Sequence, residues 1–500
     1  MKKRSLILFL ICIFALCCAF ALVACDHDGD DNNNDTLPED DGNGLHYWWA
    51  DDEHTAYFVD GIDTEDIKDI VVPSTYKGKP VVSIGWRVFD HEGIETVTIS
   101  EGIKSINSEA FGECINLKNV YLPNSIESID RTAFAKCPSL EKTVENGVTY
   151  VGNKDNAYVV ALGPHSSITE NEYQFNENTL VIAEEAFFDC REIDTLSLPS
   201  KMHTIGSLAF YNANKLTSVD LPDSLKRIGN WAFRYCNIST FEIPANLEYV
   251  GENICTAREY LSVKGDGALK AVNNCVINTA KKELLLGCNS SVIPADGSVT
   301  SIGQYAFAGS GLTQITIPAS VKTIGSGAFS YCGALETVEF NEGLECIDHR
   351  AFEWCQRLTN IVLPQSLSEM GTYAFQNCNA LTSIAIPRNV TEISSCLFRG
   401  CKNLAEVTLH SDITKIDNAF EGCDLKNVVI PRSVKYIWMS AFYNNRNLET
   451  VTFENTQGWQ AFEVIDDTGT PVDLSDPVRN AEMFISDGDD RVGDYLQIVG

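Results

Sequence analysis

Apolar positions along this chain fall into a short repeating phrase rather than into long helical stripes. From Ile324, Ile-Gly-x-x-Ala-Phe-x-x-Cys-x-x-Leu-x-x-Val is answered 23 residues later by Ile-Asp-x-x-Ala-Phe-x-x-Cys-x-x-Leu-x-x-Ile. The phenylalanine of the phrase recurs at Phe89, Phe111, Phe134, Phe187, Phe210, Phe233, Phe307, Phe329, Phe352, Phe375, Phe398, Phe420 and Phe442. Within unbroken runs the step is 22 or 23, and two wider gaps of 53 and 74 residues return to register afterwards. A fixed period in this range is the signature of a solenoid. Each coil reads as a Leu-x-x-Val-x-Leu-Pro strand of alternating apolar side chains, as at Leu216–Pro222. Proline ends it because it cannot donate to a ladder. A second extended piece, Val/Leu-Lys-x-Ile-Gly, follows a turn, and Ala-Phe-x-x-Cys is expected to make a tight helical turn back to the next strand. One coil cannot bury its own Leu, Val, Ile, Ala and Phe, but a stack at strand spacing makes one continuous core. The phrase predicts a β-rich α/β solenoid of about 13–16 coils of 22–23 residues, with hairpin inserts and capped ends.

Nine cysteines sit three residues after the phenylalanine: Cys114, Cys137, Cys190, Cys236, Cys332, Cys355, Cys378, Cys401 and Cys423. Other coils place Ala213, Ser310 and Asn445 there. A slot that accepts all four residue types is a small buried position, because disulfide partners or metal ligands would not tolerate the mixture. No metal site and no cofactor is expected. Cys346 and Cys396 lie off this column and could pair.

The phrase resembles the leucine-rich repeats of the BspA type, also called the Treponema pallidum type, over roughly residues 70–455. The resemblance implies a leucine-rich repeat fold and a cell-surface binding protein, with adhesion to host or matrix components as the function known for some relatives. No binding residue carries over from it.

The two gaps hold candidate inserts near 143–180 and 255–298. Val148–Leu162 reads as a hairpin about a Gly-Asn-Lys-Asp-Asn turn. Leu269–Gly287 reads as a second, in which Ala-Val-Asn-Asn-Cys-Val-Ile is one strand and Thr-Ala-Lys-Lys the turn. Solenoid ends must be covered, because the terminal coil exposes its core. Residues 45–88 read as an N-terminal cap and first irregular coil, in which His46-Tyr47-Trp48-Trp49 covers the open end or stacks on sugar rings. The regular array runs over 89–455. Residues 456–500 form a C-terminal cap, where Asp476 before Pro477 marks a short helix that turns Phe484 inward.

Charge and the N-terminal segment set the compartment. The net charge of −32 is wrong for a phosphate backbone, so nucleic acid is not a partner. Lys2, Lys3 and Arg4 precede an apolar run from Leu6 to Ala24, which closes as Leu22-Val23-Ala24-Cys25. This is similar to a bacterial lipoprotein signal, with 1–24 removed and Cys25 lipidated. A plain cleaved signal and an uncleaved anchor are the alternatives, and all three export the chain. Residues 25–44 then read as an acidic, self-repelling tether that cannot bury enough apolar surface to order itself. The expected place is the bacterial membrane, held by lipid, with the repeats outside the cell as a monomer.

Candidate chemistry is sparse. Gly-x-Ser-x-Gly, His-Glu-x-x-His and a phosphate-binding Gly-rich loop are all missing from the sequence, so no catalytic residue is expected. Two readings remain, a surface module that binds a protein or glycan partner and a structural protein of the cell envelope without one tight ligand. Tyr235, Tyr331 and Trp354 occupy the residue just before the ladder cysteine and are the candidate binding residues. Stacking would set Tyr331 beside Trp354 on one edge, where they bind a ligand or pack coil on coil. The outward strand positions, among them Thr313, Gln314, Thr316, Glu336, Thr337 and Glu339, offer a polar sheet face as the other candidate surface.

Overall fold

Thr323–Ile324 and Gln314–Ile317 show how a coil is made. In a computed structural model, residues 44–62, 67–89, 93–165, 173–255, 259–359, 361–463, 466–485 and 495–498 are described. Residues 1–43, with the apolar run, Cys25 and the acidic segment expected to be a signal, a lipid site and a tether, lie outside the described residues. The two-residue strands Ser301–Ile302, Thr323–Ile324, Cys346–Ile347 and Glu369–Met370 pair in parallel, each apolar member inward. On the other wall Gln314–Ile317 pairs in parallel with Thr337–Phe340, burying Ile315 and Ile317 and exposing Gln314 and Thr316. Repetition of this unit gives a β-solenoid of about 16 turns.

The turn joining the two walls differs from expectation. Ala-Phe-x-x-Cys forms no helical turn, and the α-helix Pro477–Ile485 and a single 3-10 turn at Met439–Phe442 are the helices among the described residues. The cause is local. In most coils the residues two before and two after the phenylalanine both take left-handed backbone, for example Gly327 at φ 60° and Tyr331 at φ 59°. A left-handed residue cannot continue a right-handed helix. The turns instead form a ladder of their own: Gly327 N donates to His349 O at 2.8 Å, Phe329 N to Ala351 O at 2.7 Å and Tyr331 N to Glu353 O at 2.7 Å.

Inside the turns the phenylalanines form a column. From Phe307 to Phe442 consecutive ring centroids lie 4.9, 5.0, 5.3, 5.5, 5.6 and 5.6 Å apart with nearly parallel planes. The cysteine slot does more than fill space. The Cys355 thiol donates to Phe329 O at 3.1 Å, Cys378 to Phe352 O at 3.2 Å and Cys401 to Phe375 O at 3.1 Å. Each of these carbonyls also accepts the backbone N–H of its own coil's cysteine, as Cys332 N does to Phe329 O at 3.2 Å. Both lone pairs of a buried carbonyl are thereby satisfied. Asn445 Nδ2 makes the same bond to Phe420 O at 2.8 Å, so the slot selects a small side chain that donates. Every cysteine among the described residues is free, including Cys346 and Cys396. Burial pushes the Cys236 and Cys401 thiols up to about 12 and Cys332 up to about 11.

The inserts are larger than hairpins. Thr143–Glu145, Val148–Val151 and Val160–Pro164 form an antiparallel meander, as do Leu269–Val272, Cys275–Asn278 and Glu283–Gly287. The stretch Ala-Val-Asn-Asn-Cys-Val-Ile is thus two strands. Asn273 and Asn274, at φ 49° and 59°, turn the chain between them, as Asn146-Gly147 does in the first meander. Two successive residues at positive φ give the tight turn that suits a hairpin's twist. The third strand of each meander enters the parallel column, Val160 opposite Val181 and Glu283 opposite Ser301. It carries a glycine at or next to its end, Gly163 and Gly287, because the next turn packs against it. A Cβ on Gly287 would meet the Phe307 ring at 2.0 Å, and one on Gly163 would meet Ala186 O at 2.3 Å.

The ends are covered in two ways. Leu45–Trp49 and Tyr57–Ile62 form a hairpin that joins the column through Lys79–Ile84, with Tyr47 buried against Tyr76 at 4.1 Å. At the other end Asp476 Oδ1 accepts Val478 N at 3.0 Å and starts the helix Pro477–Ile485. Phe484 closes the phenylalanine column edge-on to Phe442 at 5.3 Å. Tyr495–Ile498 pairs antiparallel with Tyr436–Trp438, taking up the backbone groups of that last strand.

Phe352→Ala is expected to cost about 3–5 kcal/mol, because it opens a hole in the column. Cys355→Ala is expected to cost about 1 kcal/mol, the net value of one hydrogen bond, and Cys355→Ser less. Thermal melts of the three variants check this, and equal large losses for Phe352→Ala and Cys355→Ala would show that the cysteine is covalently or metal bound. In the folded protein Cys236, Cys332 and Cys401 are expected to resist iodoacetamide at pH 8 and to react in denaturant, read by mass spectrometry.

Candidate functional site

The residue just before the ladder cysteine protrudes from the turn column, and its left-handed backbone decides what suits it. Asn212, Asn377, Gly400, Gly422 and Asn444 fill this slot at φ 62°, 59°, 72°, 69° and 58°. Glycine and asparagine adopt such backbone at least cost. Tyr235, Tyr331 and Trp354 take the same conformation, at φ 62°, 59° and 61°, with bulky rings that gain nothing from it. They are 46%, 51% and 37% exposed. Tyr331 and Trp354 lie side by side as the period predicts, ring centroids 6.2 Å apart and planes 7° from parallel. Tyr235 stands across the second gap in the period, edge-on to Tyr211 at 5.2 Å.

The second left-handed slot, two residues before the phenylalanine, supplies aromatic side chains that were not singled out from the sequence. Trp231 and Tyr305 approach edge-on at 6.3 Å, so the rings of two Phe coils 74 residues apart meet over the degenerate coil between them. Asn253 Nδ2 reaches Ala308 O at 3.3 Å beneath that contact. Tyr373 sits further along, edge-on to His349 at 5.5 Å.

Charged side chains are folded in among these rings. Arg234 is 8% exposed, its guanidinium 4.9 Å from the Tyr235 ring and 5.5 Å from the Trp231 ring. Glu353 is equally buried, and burial raises its carboxyl above the usual carboxylate range while Arg350, 3.9 Å away, opposes the shift. Burial also pushes the Tyr331 and Tyr305 hydroxyls up, and Glu353 lies close enough to both to add to it. The edge is thus an aromatic surface with ionisable groups held just below it.

The polar sheet face is present as expected, with Gln314, Thr316, Thr337 and Glu339 outward and Thr316 Oγ1 bonded to Glu339 at 3.0 Å. Its side chains pair with one another between coils. A separate cleft of about 340 Å³ lies beside the first meander, lined by Arg131, Lys142, Glu185, Phe188 and Cys190 among others. There Arg131 is tied to Glu185 at 3.4 Å, and burial raises the Cys190 thiol. No group of three or more His, Cys, Asp or Glu side chains among the described residues is placed to hold a metal ion.

Comparisons with known proteins bear on the repeats. Residues 64–158, 166–275, 278–395 and 368–465 match the BspA type leucine rich repeat region. A leucine-rich cell surface protein of Faecalibacterium prausnitzii is 22% identical, over 85% of this chain and 96% of that one, with a TM-score of 0.40. A leucine-rich repeat protein of Bacteroides ovatus is 22% identical over 84% of this chain and all of its own, with a TM-score of 0.35. The pneumococcal vaccine antigen PcpA is 18% identical over 84% of this chain and 99% of its own, with a TM-score of 0.42. No curated protein sequence matches the chain. With the match spanning most of residues 64–465, the chain belongs to the BspA-type leucine-rich repeat family.

Proposed function

We propose that this protein is a surface recognition module that binds a protein or glycan through the aromatic edge and does not transform what it binds. One observation carries the reading. Tyr235, Tyr331 and Trp354 hold exposed rings on left-handed backbone where neighbouring coils use asparagine or glycine. Glu113, Lys136 and Asp189 share this backbone in the same slot of other coils, so what sets the three apart is the exposed ring, with Tyr331 and Trp354 stacked side by side. A rigid array offers a wide surface with fixed spacing, and exposed aromatic residues are the usual anchors of such surfaces. A binding role without turnover suits a family whose fold is in general non-catalytic. In this reading the N-terminal segment is a lipoprotein signal, Cys25 carries the lipid, and residues 26–44 hold the array off the membrane.

Two outcomes are expected. Tyr331→Asn combined with Trp354→Asn should lower affinity for any partner found by glycan array or pull-down at least tenfold. The melting temperature should stay level or rise, because asparagine relieves left-handed strain. A large fall in melting temperature would show that the two rings are packing only. In cells fed labelled fatty acid, Cys25→Ala should lose the label; label retained would overturn the lipid anchor.

A further inference from the structure

Arg234 has no counter-charge among the described residues. In a chain with 69 acidic and 37 basic residues, other arginines of the array find one: Arg399 pairs with Glu421 at 3.1 Å and Arg357 with Glu336 at 3.3 Å. Arg399 occupies the same place in its coil as Arg234, the residue after the ladder phenylalanine. Arg234 is more than nine-tenths buried, has no ion pair among the described residues, and its Nε has no hydrogen-bond partner. Its guanidinium instead lies against the rings of Trp231 and Tyr235. Burying a charge without pairing it is costly. The fold does not demand an arginine there, since other coils use Ala308, Ser330 or Gln376 in the same place. Nearby, Trp231 Nε1 and Ser330 Oγ are also buried without partners. The edge therefore holds several unengaged donors, one of them charged, next to aromatic rings.

We propose that Arg234 receives the carboxylate of an acidic sugar, of the uronic or sialic acid type, whose ring lies along Tyr235 and Tyr331. This rests on the recognition reading above and names its ligand. A planar guanidinium suits a carboxylate through paired N–H donors, and aromatic rings suit the apolar faces of a sugar. An extended acidic peptide fits less well. The main-chain groups of these turns are bonded to the neighbouring coil, as Asn212 N is to Arg234 O at 2.9 Å and Trp354 N to Gln376 O at 2.8 Å. They leave no free strand edge to add to, so recognition falls to side chains.

The test is calorimetric titration of the full chain with sialyllactose, a galacturonic acid tetrasaccharide and the carboxyl-reduced form of each, beside Arg234→Met and Arg234→Lys. At least one acidic sugar should bind, carboxyl reduction should weaken it tenfold or more, and Arg234→Met should weaken it as much. Arg234→Lys should retain part of the affinity. Arg234→Met should leave the melting temperature unchanged or higher, since it removes an unpaired buried charge; a marked fall would make Arg234 structural and overturn the proposal. Equal binding of neutral and acidic sugars, lost in the Tyr331→Asn and Trp354→Asn double variant, would overturn the carboxylate role and leave the recognition reading standing. Binding of acidic peptides but of none of these sugars would do the same. If no acidic sugar binds, the proposal is wrong.

Discussion

A carbonyl oxygen buried in every turn governs much of this structure. The turn of each coil drives the backbone of its phenylalanine into the core, where water cannot reach the carbonyl. An unpaired acceptor there would be costly, and one coil satisfies only one of its lone pairs. The second bond comes from the next coil, from the thiol of Cys355 to Phe329 O or from Asn445 Nδ2 to Phe420 O. The slot is accordingly small and usually a donor, and it sits three residues after the phenylalanine so that donor and acceptor meet when coils stack. The period of 22 or 23 and the aligned rings are consistent with placing that donor over that oxygen, and the burial it requires raises the thiols. The pattern lapses at Ala213, which cannot donate, and at Ser310, whose hydroxyl meets Cys332 Sγ at 3.3 Å instead.

Much of the fold was legible because the repeat displays the same constraint thirteen times. Phe352, Cys355 and the two strands per coil could be read from spacing alone, and Asp476-Pro477 announced the closing helix. The tight turn was misread as helical because Ala-Phe-x-x-Cys has acceptable helix formers, while the left-handed residues on either side carry almost any side chain. Glu109, Arg350 and Tyr373 all adopt that backbone, so residue type gives no warning. The first strand of each meander, Thr143–Glu145 and Leu269–Val272, was hidden for the opposite reason. Asn146-Gly147 and Asn273-Asn274 are plain turn signals, but the first hairpin was begun only at Val148 and Ala-Val-Asn-Asn-Cys-Val-Ile was taken as one strand. Tyr495–Ile498 pairs with a strand some sixty residues earlier, a partnership that no local pattern encodes.

The aromatic edge was legible in part. The period alone put Tyr331 beside Trp354. Arg234 and Glu353 drew no notice, because a charged residue in a turn is ordinarily solvated and the sequence does not tell how deeply it lies. Trp231 and Tyr305 escaped because the 74-residue gap separates their coils along the chain, while the fold closes that distance to a ring contact. The irregular features collect where the repeat is interrupted. A regular array satisfies its own groups from coil to coil, and an interruption is where groups can be left over.

The second meander has one further effect. Val276 and Leu286 face one body of packed apolar side chains, while Cys275, Ile277 and Leu284 face the other. A sheet one strand thick thus acts as a partition between two cores. Cooperativity in a linear array is transmitted by nearest-neighbour packing, and here the coupling across the wall passes through a handful of side chains. A lesion on one side of residues 269–287 is therefore passed to the other side through few apolar contacts.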